Sequence, residues 1–367
     1  MRLLLLGPFP PEPGGVAAHV RDSALALAAR GHQVTVLARR WDGDEETMDG
    51  PLRLLRLPDS APHRLRWLAR VRREGMRSQV VHAHTFRLAY LASLVLPSHV
   101  PLVFTVHAYF AAEMAAAGAR GIPLWFYRHV ERRVLRRASA VVAVDRGRAR
   151  WARQAHRRRT VLELPNCLWL PDYPRPRPSL AERRWEMVCP RRLYARYGVE
   201  HAIRALSLLR ETALALTVTG DGPLRPALER LSRELGLDGR VSFVGALPRR
   251  AVVERLREAA VALVPSIPWL GDEEATSIAA LESMAVGTPV VASRSGGLAE
   301  VLQDGVTGLL VEPGDASAIA DAVRSLLADS ERWRRLALRA REYVEERHNW
   351  LQAAAVLEQL YATVAKR

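Results

Sequence analysis

Val261-Ala-Leu-Val264-Pro-Ser266 leads, after a short loop, into Glu274-Ala-Thr-Ser-Ile-Ala-Ala-Leu-Glu282-Ser-Met-Ala-Val-Gly-Thr-Pro289, and the stretch closes on Val290-Val-Ala-Ser293. An apolar run of strand length, a loop, a helical segment and a second apolar run make one strand–helix–strand unit. Thr276 or Ser277 can cap the helix, and Gly287 with Pro289 ends it. Glu282 then stands about a turn and a half inside. Glu274 stays in the loop at the helix mouth. Two carboxylates so placed accept hydrogen bonds from two separate sets of hydroxyls. The free N–H groups at Thr276–Ile278 face the same space and suit an anion. Sugar hydroxyls, ribose hydroxyls and a diphosphate are what a nucleotide sugar offers. Taken alone, such a glutamate pair is more often a solvated helix face.

The same unit recurs along the chain. Leu3–Leu6, Val34–Leu37, Leu52–Leu57, Val80–His82, Leu102–Val106 and Ala140–Val144 read as strands, with a helix over Val16–Arg30 carrying Val20, Ala24, Leu27 and Ala28 on one side. Strands separated by helices imply right-handed crossovers and a parallel sheet. A proline-rich segment, Leu170–Arg184, breaks the pattern and reads as a linker. A second series follows at Met187–Pro190, Ala215–Thr219, Val241–Val244, Val261–Val264, Val290–Ala292 and Gly308–Val311. The expected fold is α/β, with two doubly wound, Rossmann-like domains over residues 1–170 and 171–349.

Pro265-Ser266, Glu274 and the run from Glu282 to Ser293 resemble the signature of the retaining glycosyltransferases of glycosyltransferase family 4, which have the GT-B fold. Further blocks support the resemblance in order along essentially the whole chain. They are Gly14-Gly15-Val16 with His19-Val20, Arg30-Gly31-His32, Pro190-Arg191-Arg192-Leu193 through Gly198, Val218-Thr219-Gly220-Asp221-Gly222-Pro223 and Gly296-Gly297-Leu298. The resemblance implies two domains facing across a cleft, with the last helix, 350–367, returning to the first. It implies transfer of a sugar from a nucleotide-diphosphate donor to an acceptor hydroxyl, with retention and without a metal or other cofactor.

It also implies roles for residues. Arg192 matches the arginine that holds the diphosphate, and a guanidinium fork suits phosphate oxygens. The family's lysine position is Tyr197 here, with Arg196 one residue earlier as a substitute. Gly15, with Gly14 at the mouth of the first long helix, lets backbone approach a phosphate or the acceptor. Thr276, Ser277, Ile278 and Glu282 complete the donor set. Glu274 orients the sugar, and His107, just past a strand end, contacts a substrate hydroxyl or phosphate. The usual Phe-Gly near Thr276–Ser277 is absent, which points to a different donor-sugar pocket. Val81-His82-Ala83-His84-Thr85 has a metal-like spacing, yet no nearby Cys or carboxylate completes a site, so the expected metal count is none.

The chain has 367 residues, a net charge of +15 and a pI near 10.9, and Lys366 is its single lysine. Such a charge attracts polyanions. No zinc-finger spacing, RNA-binding aromatic signature or basic zipper supports specific nucleic-acid recognition. Two basic amphipathic helices, Pro62–Arg77 with Leu65, Leu68 and Val71 and Pro123–Arg137 with Phe126, Val130 and Val134, suggest weak contact with an anionic membrane. Cys167 and Cys189 form no disulfide framework, Leu3–Leu6 is too short for a signal-peptide core, and the stretch near Leu88–Leu96 is too short to span a bilayer. The expected location is the bacterial cytosol, with peripheral contact at the inner face of the membrane and a sugar or lipid-linked acceptor. Two rival classes are another kind of GT-B enzyme, an epimerase or phosphorylase, and a non-catalytic basic binder of lipid or nucleic acid.

Overall fold

The computed structural model describes residues 1–12, 14–40, 45–59, 63–116, 118–155, 160–176, 179–269 and 274–366. The chain divides into two compact units. Unit 1 comprises Met1–Trp169 with Asn349–Arg367, and unit 2 comprises Leu170–His348.

Among the described residues, unit 1 is built on eight strands: β1 (Arg2–Leu6), β2 (Gln33–Arg39), β3 (Glu46–Asp49), β4 (Leu52–Leu57), β5 (Val80–Ala83), β6 (Leu102–Val106), β7 (Ala140–Ala143) and β8 (Thr160–Glu163). Their order across the sheet is β3-β4-β2-β1-β5-β6-β7-β8. Leu3 to Leu6 are all buried, as a strand covered by helices on both faces requires. One face packs under the helices Gly15–Ala29 and Trp350–Ala365, where Val20, Leu27, Trp350, Leu357 and Tyr361 meet Leu3, Leu5 and Val36. The other packs under the helices Arg64–Arg77, Phe86–Val95 and Gly121–Arg137 through Trp67, Val71, Phe86, Val130 and Val134.

Two expectations are corrected here. The sheet is not wholly parallel, because β3 runs antiparallel to β4. Its sequence, Glu46-Thr-Met-Asp49, is largely exposed at the sheet edge, so it carries no apolar signal. The first basic helix is also turned from the expected register. Leu65 is 77% exposed, while Trp67, Val71 and Gly75 face the core. Its expected first residue, Pro62, lies outside the described residues.

Unit 2 contains β9 (Arg184–Cys189), β10 (Ala215–Val218), β11 (Val241–Phe243), β12 (Ala259–Val264), β13 (Val290–Ser293) and β14 (Leu309–Val311), ordered β11-β10-β9-β12-β13-β14 and paired in parallel throughout. The strand order reverses between β9 and β12. Ligands of open α/β sheets bind outside the carboxyl ends of strands at such a reversal. The equivalent reversal in unit 1 falls between β1 and β5.

Candidate active site

In unit 2, the chain leaves β9 at Cys189 and β12 at Val264, and these neighbouring strand ends bring Arg191 beside Ser266. Arg191 is buried. Its guanidinium donates to Ser266 Oγ at 2.5 Å, to Glu274 Oε2 at 2.5 Å and to Ser277 Oγ at 3.1 Å. Ser266 Oγ also donates to Glu274 Oε2, at 3.1 Å. Ser277 holds the cap position of the helix Ile278–Ala285, but its hydroxyl accepts from Arg191 instead of capping the backbone. A guanidinium and a helix N-terminus, both positive, are thus held together, with Glu274 as their local counter-charge. Arg191 Nε is buried and has no hydrogen-bond partner among the described residues. A buried donor of this kind favours an incoming oxygen anion.

Glycine makes this convergence feasible. A Cβ on Gly297 would lie 2.4 Å from the Ala275 carbonyl carbon and from the Thr276 nitrogen. Gly297 N–H donates to the Glu274 carbonyl at 2.7 Å, which ties the loop to the start of the helix Gly296–Val301.

Arg192 and Arg196 are placed differently from Arg191. Arg192 is exposed, donates to the Tyr197 hydroxyl, and lies 5.1 Å from the centre of the Tyr197 ring. Arg191 and Arg196 lie 4.5 Å and 5.7 Å from the same ring. Three guanidiniums therefore gather round Tyr197. Each close cation–aromatic contact contributes on the order of 0.5–2 kcal/mol.

Glu282 is buried on the same helix. Its Oε1 accepts from the Tyr173 hydroxyl at 2.9 Å and from Arg249 Nε at 2.6 Å. Tyr173 comes from the proline-rich segment, which is anchored here rather than free. Arg341 holds the same segment by donating to the Tyr173 carbonyl at 2.9 Å. Thr276 and Ser277 are buried and Ile278 is half-buried. Arg191, Ser266, Tyr173 and Arg249 were not singled out from sequence as site residues. The usable signal was the end of β9. Consecutive residues of an extended chain point opposite ways, so one of Arg191 and Arg192 had to face inward.

In unit 1, Gly15 is exposed as the first residue of its helix. His107 follows β6 and is half-buried, and its carbonyl accepts from Arg148 Nε at 2.9 Å. Its ring meets His19, with centroids 4.6 Å apart, and its Nε2 lies 3.5 Å from His84 Nδ1. Burial, together with the neighbouring His19 and Arg148, pushes the His107 pKa well below the ordinary histidine value. Burial lowers that of His19 to about 4 and that of His82 to about 3. His84 is likewise pushed well below the ordinary value, by burial and by His82. All four rings are therefore neutral at neutral pH.

Comparison with known proteins gives a consistent result over both units. Residues 13–167 match the model of glycosyltransferase family 4, and residues 175–343 match that of the glycosyl transferases group 1. The GDP-mannose-dependent alpha-(1-6)-phosphatidylinositol monomannoside mannosyltransferase of Mycolicibacterium smegmatis is 30% identical, over 98% of this chain and 97% of that protein. Among solved structures, sucrose-phosphate synthase from Thermosynechococcus elongatus superposes with a TM-score of 0.83, at 23% identity, covering 99% of this chain and 98% of that one. Anabaena HepE in complex with UDP-glucose superposes with a TM-score of 0.78, at 18% identity, covering 99% of this chain and all of that one.

Proposed function

The chain belongs to the group 1 glycosyltransferases of glycosyltransferase family 4 and has their GT-B fold, and on that premise we propose that it is a retaining enzyme that uses a nucleotide-diphosphate sugar. The observation that carries this reading is Arg191 joined to Ser266, Glu274 and Ser277 at the strand-order reversal of unit 2. The relative named above as GDP-mannose-dependent and the neighbour solved with UDP-glucose support the donor class.

In this reading the donor diphosphate lies against the N–H groups of Thr276–Ile278 and the guanidiniums gathered at Tyr197, buried Arg191 foremost and exposed Arg192 beside it. Arg196 supplies charge in place of the family's lysine. Glu282, steadied by Tyr173 and Arg249, takes the ribose hydroxyls through its remaining acceptor capacity. Glu274 orients the sugar. The bond from the anomeric carbon to the phosphate oxygen breaks as the acceptor oxygen bonds to that carbon on the same face. The acceptor's proton passes to the departing phosphate oxygen, leaving a glycoside and a nucleoside diphosphate. Charge grows on the diphosphate in the transition state, and preorganised positive groups stabilise it most there. In unit 1, Gly15 offers its backbone to a phosphate and His107 offers a ring nitrogen to an acceptor hydroxyl.

The direct test is a panel of UDP- and GDP-sugars assayed for nucleoside diphosphate release and for thermal shift. One donor is expected to give both, and Glu282→Gln to weaken its binding by roughly ten-fold or more, as loss of a charged hydrogen bond implies. No release and no shift with any donor would end the reading. Transfer is expected to survive EDTA, since guanidiniums and a helix terminus supply the positive charge. Loss of activity restored only by magnesium or manganese would contradict that.

The acceptor is proposed to be a membrane lipid or lipid-linked sugar. No helix among the described residues is long and apolar enough to cross a membrane. On the helix Gly121–Arg137, Val130 and Val134 belong to the core, while Ile122, Trp125 and Phe126 are 82%, 63% and 44% exposed. They share one face at helical spacing. The first basic helix is a weaker candidate, since Arg66 and Arg70 pair with Glu45 and Glu46. Binding to phosphatidylglycerol vesicles is expected, weaker at high salt, and reduced by Ile122→Ser with Trp125→Ser. Equal sedimentation with phosphatidylcholine, or none with either lipid, would remove the membrane contact.

A further inference from the structure

Unit 1 gathers histidines that the sequence keeps apart. His19 comes from the helix after β1, His84 follows β5 and His107 follows β6. One ring nitrogen of each lies within 4.8 Å of those of the other two. The pairing His82-x-His84 that the sequence suggests is not the relevant one. His82 Nδ1 is 2.6 Å from the Tyr361 hydroxyl and its Nε2 is 2.7 Å from Thr105 Oγ1, so both nitrogens are engaged.

His84 is different. It is buried, and among the described residues its Nε2 has no hydrogen-bond partner and its Nδ1 reaches only His107 Nε2, at the long distance of 3.5 Å. A buried imidazole without a strong partner on either side is costly. Two imidazole nitrogens on one tetrahedral zinc, each bonded at about 2.0–2.1 Å, stand roughly 3.4 Å apart. The His84–His107 pair already has that separation. His19 is held in a ligand's orientation, its Nδ1 hydrogen-bonded to Asn166 Oδ1 at 2.8 Å and its Nε2 thereby left as the lone-pair nitrogen. An outer partner of this kind is typical of metal-bound histidine. The nearby Arg148 is neutralised by Asp145, at 2.5 Å.

We infer that His19, His84 and His107 form a binding site for a single borderline divalent cation, zinc foremost, with a fourth position left for water or another oxygen ligand. Three neutral imidazoles suit zinc and are poor ligands for magnesium or calcium. The ion would link the helix after β1 to the ends of β5 and β6. Its presence is independent of the donor chemistry assigned to unit 2. On the acceptor role proposed for His107, zinc and acceptor would compete for that ring.

The test uses the full chain, stripped with EDTA, dialysed, and titrated with zinc chloride by calorimetry. Cobalt serves as a second probe, read by the visible bands of a tetrahedral ion. One equivalent of zinc is expected to bind and to raise Tm. His107→Ala, at a half-buried strand end, and His19→Gln are each expected to weaken binding by ten-fold or more, and magnesium to give no heat. Binding of less than one equivalent, or the same affinity in the parent and in folded His107→Ala, would overturn the site. Should His19→Gln not fold, His107→Ala and the cobalt spectrum decide. Zinc binding by the stripped chain, with no turnover of any nucleotide sugar by the same chain before zinc is added, would leave the site standing and count against the donor reading alone.

Discussion

Arg191→Ala is expected to lower kcat/KM by two to three orders of magnitude, well beyond the loss from Arg192→Ala or Arg196→Ala. Arg191 contacts three elements at once: Ser266 after β12, Glu274 in the loop, and Ser277 at the helix start. Removing it leaves the Glu274 carboxylate, whose side chain is only 12% exposed, without its ion-pair partner. Breaking a buried pair from one side costs about 3–5 kcal/mol, much of it from the charge left behind. Stabilising groups lost from around a developing anion cost about 10²–10³ in kcat. Arg192 is exposed, and a single surface guanidinium has less to lose. A double-mutant cycle separates the causes. If Arg191 acts through Glu274, the double variant Arg191→Ala with Glu274→Ala is hardly worse than either single variant. Additive losses would show that the two residues work apart. Full activity in Arg191→Ala, with Arg192→Ala inactive, would return the diphosphate role to Arg192 alone.

Much of this arrangement was legible before the structure. The apolar runs and the Gly-Thr-Pro stop after Glu282 placed nearly every parallel strand, because strands buried on both faces must be continuously apolar. What escaped notice has physical reasons. Strand β3 sits at an edge, where Glu46 and Asp49 are allowed to face water. The register of the helix Arg64–Arg77 was misread because Leu65 breaks the rule that leucine is buried, while Trp67 supplies the burial instead. Arg191 and Arg192 are indistinguishable as letters, and only the turn after Cys189 decides which one enters. Tyr173 was hidden in a segment read as linker, whose backbone is pinned by Arg341. The histidine cluster is the extreme case. Its members are brought together by the strand order of unit 1, which no local pattern encodes.

Gly198→Ala is expected to destabilise unit 2 more than any other small substitution near the site, and to disable the site with it. Gly198 ends the turn Ala195–Tyr197 in a left-handed conformation, with φ 60°. An added Cβ would stand 1.9 Å from the Pro265 carbonyl oxygen. The collision is with backbone, which has no rotamer to yield. The contact is held from the other side as well, since Ile267 N–H donates to the Arg196 carbonyl at 2.9 Å. Left-handed backbone costs a residue with a Cβ roughly 1–2 kcal/mol, and overpacking adds about 1–3. The sum corresponds to a fall in Tm of roughly 5–20 °C for a unit of this size. Pushing Pro265 away also carries Ser266 off Arg191, so the surviving folded fraction is expected to lose turnover as Arg191→Ala does. Gly236→Ala is the control. Gly236 has φ 67° but nothing within 4 Å of its would-be Cβ, so only the conformational part remains. Scanning calorimetry of both variants, with nucleoside diphosphate release measured alongside, separates the two contributions. Equal losses of Tm would mean that the approach of Pro265 to Gly198 contributes nothing. A folded, fully active Gly198→Ala would show that the strand ends of β9 and β12 need not meet this closely for the chemistry.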